Sequence, residues 1–258
     1  MRKRSAYLAV WILLAAVPGI AQEAKALIAA GDALYEQRAD ADRARQAAAK
    51  YGEAARLDPA SYEARWKSAK ALFYIGRISG DNSEKKRIFF EAAGEAKEAV
   101  RLDPDGAEGH FWLGANYAEY GQAKGVLKSL SLHDDIEREM NEVLRIDPRF
   151  GCGAAYITLG RIYFKVPGLF GGSLKKSRQY LEMARDICPR ETTTLLYLAQ
   201  TYWEMKERRL AVETLERLLS MEPYGTLLAE AAADRAEAQK LLNEYRRRTN
   251  DHEDPSEG

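Results

Sequence analysis

Small and apolar residues recur along this chain at spacings of three and four, the period that gathers them on one face of a helix. Counting back from Pro59, positions 12, 8 and 5 earlier hold Ala47, Tyr51 and Ala54. The same count from Pro104 gives Ala92, Ala96 and Ala99, and from Pro148 it gives Ile136, Met140 and Val143. From Pro189 it gives Ser177, Leu181 and Ala184, and from Pro223 it gives Ala211, Leu215 and Leu218. Each of these predicted helices ends on a tripeptide of one shape: Leu57-Asp58-Pro59, Leu102-Asp103-Pro104, Ile146-Asp147-Pro148, Ile187-Cys188-Pro189 and Met221-Glu222-Pro223. Their prolines fall 45, 44, 41 and 34 residues apart. Punctuation this regular marks an array of repeats. Upstream of each lies a second amphipathic helix. Four of these carry a small residue where two helices must come close, Gly31, Gly114, Gly160 and Ala199. An aromatic or large residue follows at Leu34, Phe73, Tyr117, Tyr163 and Tyr202.

The two ends read differently. Arg2, Lys3 and Arg4 precede an apolar run from Ala6 to Ile20 that Pro18-Gly19 interrupts. Roughly 20 apolar residues are needed to span a bilayer, so residues 1–21 read as an export signal cleaved before Gln22. An uncleaved N-terminal anchor is the alternative. Cleavage would leave a protein soluble in the periplasm or secreted, and no cysteine lies near the cut to take a lipid. Residues 229–248 read as one more helix, which would cover the apolar face of the last repeat as solenoid ends require. The polar, acidic tail 249–258 is expected to be disordered.

The repeat pattern resembles the tetratricopeptide repeat, a 34-residue helix hairpin with Leu-Gly, an aromatic, then Ala and Pro at fixed offsets. Residues 192–225 fit it without insertion, and the other four repeats carry about four, ten, ten and five extra residues, assigned to the loops between their helices. The fold expected is all-α: an α-solenoid of tetratricopeptide-like hairpins with long intra-repeat insertions over residues 22–248, about five repeats and a capping helix. The stretch GAAYITLGRIYFKVPGLFGG, continued by KKSRQYLEMA, resembles the T-component proteins of tripartite ATP-independent periplasmic (TRAP) transporters. A more distant likeness is to the regulators of microtubule dynamics. The first resemblance implies an accessory protein that engages a periplasmic substrate-binding protein and assembles as a homo-trimer. The missing lipoprotein cysteine departs from some of its members.

Charge narrows the partners. Lys and Arg number 39, as do Asp and Glu. Without the signal the balance is 36 against 39, a poor match for nucleic acid. Two Cys and three His leave little for metal chemistry, and no HExxH, GxSxG, P-loop or CxxC motif occurs. No catalytic residue, metal site or cofactor is assigned, and the protein reads as a non-enzyme. The run His133-Asp134-Asp135 splays about 100° per residue on a helix and reads as a helix start, and His110 reads as a packing residue.

Binding is therefore where function is sought. In an array of this kind the first helices line the concave side. The positions that point there hold Tyr35, Tyr74, Phe164 and Trp203, joined by Ile28, Lys67, Phe111, Ile157 and Leu196, with Arg161 able to orient a polar end. Such a lining suits an apolar small molecule, a lipid, or an amphipathic partner helix. The same side chains could instead pack against the loops or the C-terminal helix. A basic edge gathers Lys85, Lys86, Arg87, Lys124, Lys128, Lys175, Lys176 and Arg178 near the inter-helix loops, suited to anions or simply solvated. Cys152 and Cys188 open and close one repeat and either bond in an oxidising compartment or stay buried thiols. The readings in competition are a TRAP accessory subunit, a general periplasmic scaffold for envelope assembly, and a lipid carrier.

Overall fold

The computed structural model describes residues 18–223 and 228–253. Most of the export-signal segment, residues 1–17, lies outside the described residues, as does the end of the tail, 254–258. Five helix pairs follow one another. They are α1 (Pro18–Tyr35) with α2 (Ala41–Leu57), α3 (Tyr62–Ile78) with α4 (Asn82–Leu102), and α5 (Ala107–Lys124) with α7 (His133–Ile146), the last joined through a short α6 (Val126–Ser131). Next come α8 (Phe150–Lys165) with α9 (Leu174–Ile187), and α10 (Thr192–Glu204) with α11 (Arg208–Ser220). A long α12 (Leu228–Glu253) closes the array, continuing past residue 248, where the sequence pattern placed its end.

Packing runs strictly in chain order. Each helix rests on the next, and each first helix also touches the first helix of the following pair: α1 on α3, α3 on α5, α5 on α8, α8 on α10 and α10 on α12. That is the architecture of an all-α solenoid, as the repeat pattern predicts.

The tripeptide ends have a local cause. Asp58, Asp103 and Asp147 each follow the last helical residue, and their backbone N–H groups still donate to the carbonyls of Ala54, Ala99 and Val143. Their side chains then accept from the N–H two residues on, in Ala60, Asp105 and Arg149. Proline between them has no N–H to extend the helix, so the chain turns. Four helix starts are capped by similarly short side chains. Asp40, Ser61, Asp81 and Ser173 accept from first-turn N–H groups of α2, α3, α4 and α9.

Within each of the first four pairs the two helices approach until a glycine on the first meets a large side chain on the second. A Cβ on Gly31 would stand 2.6 Å from the Tyr51 ring, and one on Gly160 2.6 Å from Leu181 Cγ. Gly114 lies equally close to Met140. In the second pair the contact is made by Gly76 against Phe89, nearly two turns further along than the sequence register suggests. There Ser68, Ala69 and Ala71 are buried and keep the earlier turn narrow.

The insertions are not all loops. Only residues 79–81 separate α3 from α4, and the extra residues of that repeat lengthen α4 to 21 residues. This corrects the expectation of a ten-residue loop: the extra residues run on in helical register with the repeat face and bury Ile88 and Phe89 ahead of Ala92 and Ala93. Burial of that face favours helix over coil. In the third repeat the insertion folds as α6, and in the fourth it forms a turn with a 3-10 segment at Gly168–Phe170.

One buried polar pair sits between the third repeat's helices. His110 Nδ1 lies 2.7 Å from Glu139 Oε2, and its Nε2 lies 2.9 Å from the Pro104 carbonyl oxygen. Both ring nitrogens therefore face acceptors, which suits the doubly protonated ring. The bond to Glu139 raises the His110 pKa above its ordinary value, against the opposing pull of burial.

Two outcomes follow from this packing. Gly160→Val should lower stability by about 1–3 kcal/mol through overpacking against Leu181. Gly94→Ala, where nothing lies within 4 Å of an added Cβ, should leave it unchanged or raise it by up to about 1 kcal/mol. Urea unfolding of both variants checks the pair. The His110 contribution should be complete below the unfolded value of 6.5 and fade as pH climbs through the higher folded-state value. His110→Gln should therefore cost most near pH 5.5 and progressively less at alkaline pH, read from melting temperatures across that range.

Candidate functional site: the concave face

The first helices of the pairs line one side of the array, and the groove residues distribute themselves along it in two kinds. Some have become core. Ile28 and Leu196 are buried, each 5% exposed, between neighbouring helices. Ile157 is half-buried against the cluster around Leu195 and Leu198, and Phe111 packs edge-on to Trp112 and tilted against Phe150. Trp203 is covered by α12: its ring stacks on Tyr245 with centroids 3.7 Å apart, and the Arg208 guanidinium lies 3.8 Å from its ring centre. Trp203 thus serves to seat the last helix. α12 is fixed there by polar contacts too. Asp234 accepts from the hydroxyls of Thr192 and Thr193, each at 2.7 Å, and Arg235 donates to the carbonyls of Leu219 and Met221.

Others stay at the surface of the groove. Tyr35 and Tyr74 meet edge to face, with Arg38 and Lys70 over the Tyr35 ring. Lys67 bridges Asp32 on α1 and Glu63 on its own helix, both at 2.7 Å. Their hydrogen bonds and charges outweigh its desolvation and raise its pKa. Phe164 lies beside Arg161, whose guanidinium is 5.2 Å from that ring centre and 4.1 Å from that of Tyr197.

Arg161 is the unusual member. It donates to Gln200 Oε1 at 2.6 Å, a neutral acceptor, and no carboxylate lies within ion-pair distance of it among the described residues. Desolvation, with the positive charge of Arg77 adding to it, draws its pKa below the ordinary value despite the opposing pull of Tyr197 and Glu119. Arg77 itself, on α3, pairs with Glu119 on α5 at 3.1 Å. Desolvation draws Arg77 down, but Glu119, Tyr197 and Asp234 outweigh it and its pKa rises. Arg77 on α3 thus feels the charge of Asp234 on α12, a helix with which α3 shares no packed interface. The array curls, bringing its first half to face its last across the groove.

Sequence position named Arg161 but not Arg77 or Asp234. Both belong to the site only because the curvature turns them inward, which no local pattern encodes.

On the loop edge, much of the positive charge is already engaged. Arg178 pairs with Glu182 at 3.0 Å and Glu207 at 2.8 Å, Arg87 with Glu91 at 3.3 Å, and Lys176 lies 4.5 Å over the Tyr163 ring. Lys124 stands over Tyr120. Lys85, Lys86 and Arg87 fall on the first turns of α4, and Lys128 on α6. Lys175 is exposed on the first turn of α9. Among the described residues no group of three or more His, Cys, Asp or Glu side chains is placed to hold a metal ion. Cys152 and Cys188 form a disulfide, with Cα atoms 5.2 Å apart.

Helix hairpins packed in series around a curved groove define the class: a tetratricopeptide-type α-solenoid. Solved structures agree on the fold. A thermophilic tetratricopeptide protein of Thermus thermophilus superposes with a TM-score of 0.63 at 18% identity, covering 84% of this chain and 98% of that one. PilF of Pseudomonas aeruginosa gives 0.56 at 16% identity, covering 88% and 93%. Residues 27–170, more than half of the chain, match the family described as regulator of microtubule dynamics protein 1-3, and the chain belongs to that family. It is the more distant of the two likenesses drawn from the sequence. Regulator of microtubule dynamics protein 1 from Bos taurus is 20% identical over 200 residues, 71% of this chain. The chain spans 62% of the length of that relative.

The division between core and groove can be measured. Trp203→Ala should cost about 3–5 kcal/mol and free α12, seen as faster amide exchange in residues 231–245. Phe164→Ala should cost about 1 kcal/mol or less and leave that exchange unchanged.

Proposed function

We propose that this chain is a non-enzymatic interaction scaffold that takes a segment of a partner protein into its concave groove. The observation that carries the reading is Arg161. A guanidinium with only a neutral hydrogen-bond partner, held between aromatic faces, offers a strong site for a carboxylate. An acidic side chain or chain terminus of the partner would fill it, while Tyr35, Tyr74 and Phe164 supply contact area at low entropic cost. The Arg77–Glu119 pair would orient the segment across the opening.

Within that reading, the partner we favour is the substrate-binding protein of a TRAP-type uptake system, with this chain as a periplasmic accessory subunit and a homo-trimer as its assembly. The resemblance of residues 153–184 to the T-component proteins and the signal-like N-terminus support it. The cysteine pair fits an oxidising compartment. The apolar-ligand and lipid-carrier readings draw less support. Tyr35 and Tyr74 are turned on each other, Trp203 is covered by Tyr245, and cations cap several of the exposed ring faces.

Calorimetric titration with a TRAP substrate-binding protein from the same genome tests the partner. Binding in the micromolar range, weakened about tenfold or more by Arg161→Ala and little by Lys175→Ala, is expected. Absence of heat up to about 100 µM would remove the TRAP assignment. Binding that Arg161→Ala leaves untouched would remove the groove from it.

A further inference from the structure

The fourth repeat opens on three consecutive residues in the left-handed region: Gly151 (φ 52°), Cys152 (φ 61°) and Gly153 (φ 78°). Glycine accepts that region freely, but a cysteine does not. Gly153 has a second reason, since a Cβ there would stand 3.3 Å from both Ala184 Cα and Ile187 Cδ1. The turn presses against the end of α9 and sets Cys152 beside Cys188. The resulting disulfide is not sealed in the core. Cys188 is 6% exposed, but Cys152 is only half-buried, and both sulfur-bearing residues line an open pocket of about 380 Å³. The other lining residues are Arg149, Ile187, Pro189 and Arg190. Two arginines thus line the pocket that reaches this disulfide, and the disulfide serves no step of the proposed partner binding.

We propose that this pocket is a thiol-exchange site for small anionic thiols, which form a mixed disulfide with Cys152. The incoming thiol loses its proton to solvent, and its thiolate attacks the sulfur of Cys152, the more exposed residue of the two. One S–S bond forms between them as the Cys152–Cys188 bond breaks. The electron pair leaves on Cys188, which takes up a proton from solvent or remains a thiolate beside the arginines. The exchange is balanced by the thiol itself and needs no other oxidant or reductant. Arg149 and Arg190 select the thiol by holding its carboxylate or sulfonate and by favouring the anionic transition state. Breaking the bond also lets Cys152 leave the left-handed region, so the opened form is not driven straight back.

The test compares 2-mercaptoethanesulfonate with cysteamine on native, unreduced protein, following adduct mass over time and locating it by peptide mapping. Each rate is divided by that thiol's rate with a small neutral disulfide, which removes differences in thiolate content. The expected result is an advantage of about tenfold for the sulfonate, an adduct on Cys152, and a ratio near one in the Arg149→Ala/Arg190→Ala double variant. About 0.5 M salt should collapse the ratio in the unmodified protein as well, which decides the matter should the double variant lose helical content. Equal normalised rates, an adduct confined to Cys188, a ratio unchanged by salt, or two free thiols in protein purified without reductant would each overturn the proposal.

Discussion

The closeness of the two helices in each pair is the constraint from which the rest of the structure follows. Gly31, Gly76, Gly114 and Gly160 have no side chain, so Tyr51, Phe89, Met140 and Leu181 can lie directly on the backbone of the opposite helix. Protein interiors are packed to crystal density, and a single added carbon at such a contact is felt. A pair held this tightly behaves as a slab of fixed thickness. Stacking slabs of fixed thickness with a small rotation at each step produces curvature, and curvature produces the groove. The glycines therefore act on function from a distance, through geometry that they set and do not line.

Curvature then decides which charges meet. Arg77, Glu119, Arg161 and Asp234 come from four helices spread over more than half of the chain, and they influence one another across the opening. Many ion pairs among the described residues are exposed and join residues three or four apart on one helix, such as Arg45 with Asp42 or Arg209 with Glu213. Those contribute little to stability. Arg161 differs because its neighbours are rings and an amide. The fold bears the cost of holding a charge without an opposite partner, and it does so where a ligand could supply one. A site of this kind binds by completing the electrostatics of the protein, and it needs no deep cavity.

Much of the architecture was legible in the sequence because it is written in short-range terms. The prolines at 59, 104, 148, 189 and 223 each close a second helix or follow its last turn, and the small and apolar residues counted back from them are buried. What stayed hidden depends on longer range. Gly76 escaped the pattern because the second pair makes its close contact nearly two turns later, where Phe89 rather than residue 92 or 96 is the large partner. The extra residues of that repeat looked like loop by comparison with a 34-residue unit, yet their own apolar spacing extends α4. Trp203 looked like a groove residue by position, and only the return of α12 with Tyr245 buries it. The inward face was predicted as aromatic. Its distinguishing feature is a cation, and Arg77 and Asp234 join it through curvature that no window of sequence records.

Serial packing has a further consequence for the opening itself. No described helix of the first two pairs shares a packed interface with one of the last pair, so the span between them is set by the sum of small angles and by the charges that face one another across it. Angles at packed interfaces are stiff, whereas Coulomb attraction through water reaches about 10 Å at ordinary ionic strength and shrinks as salt rises. The molecule is in that sense a caliper whose jaws are spaced by backbone and tensioned by counter-charge.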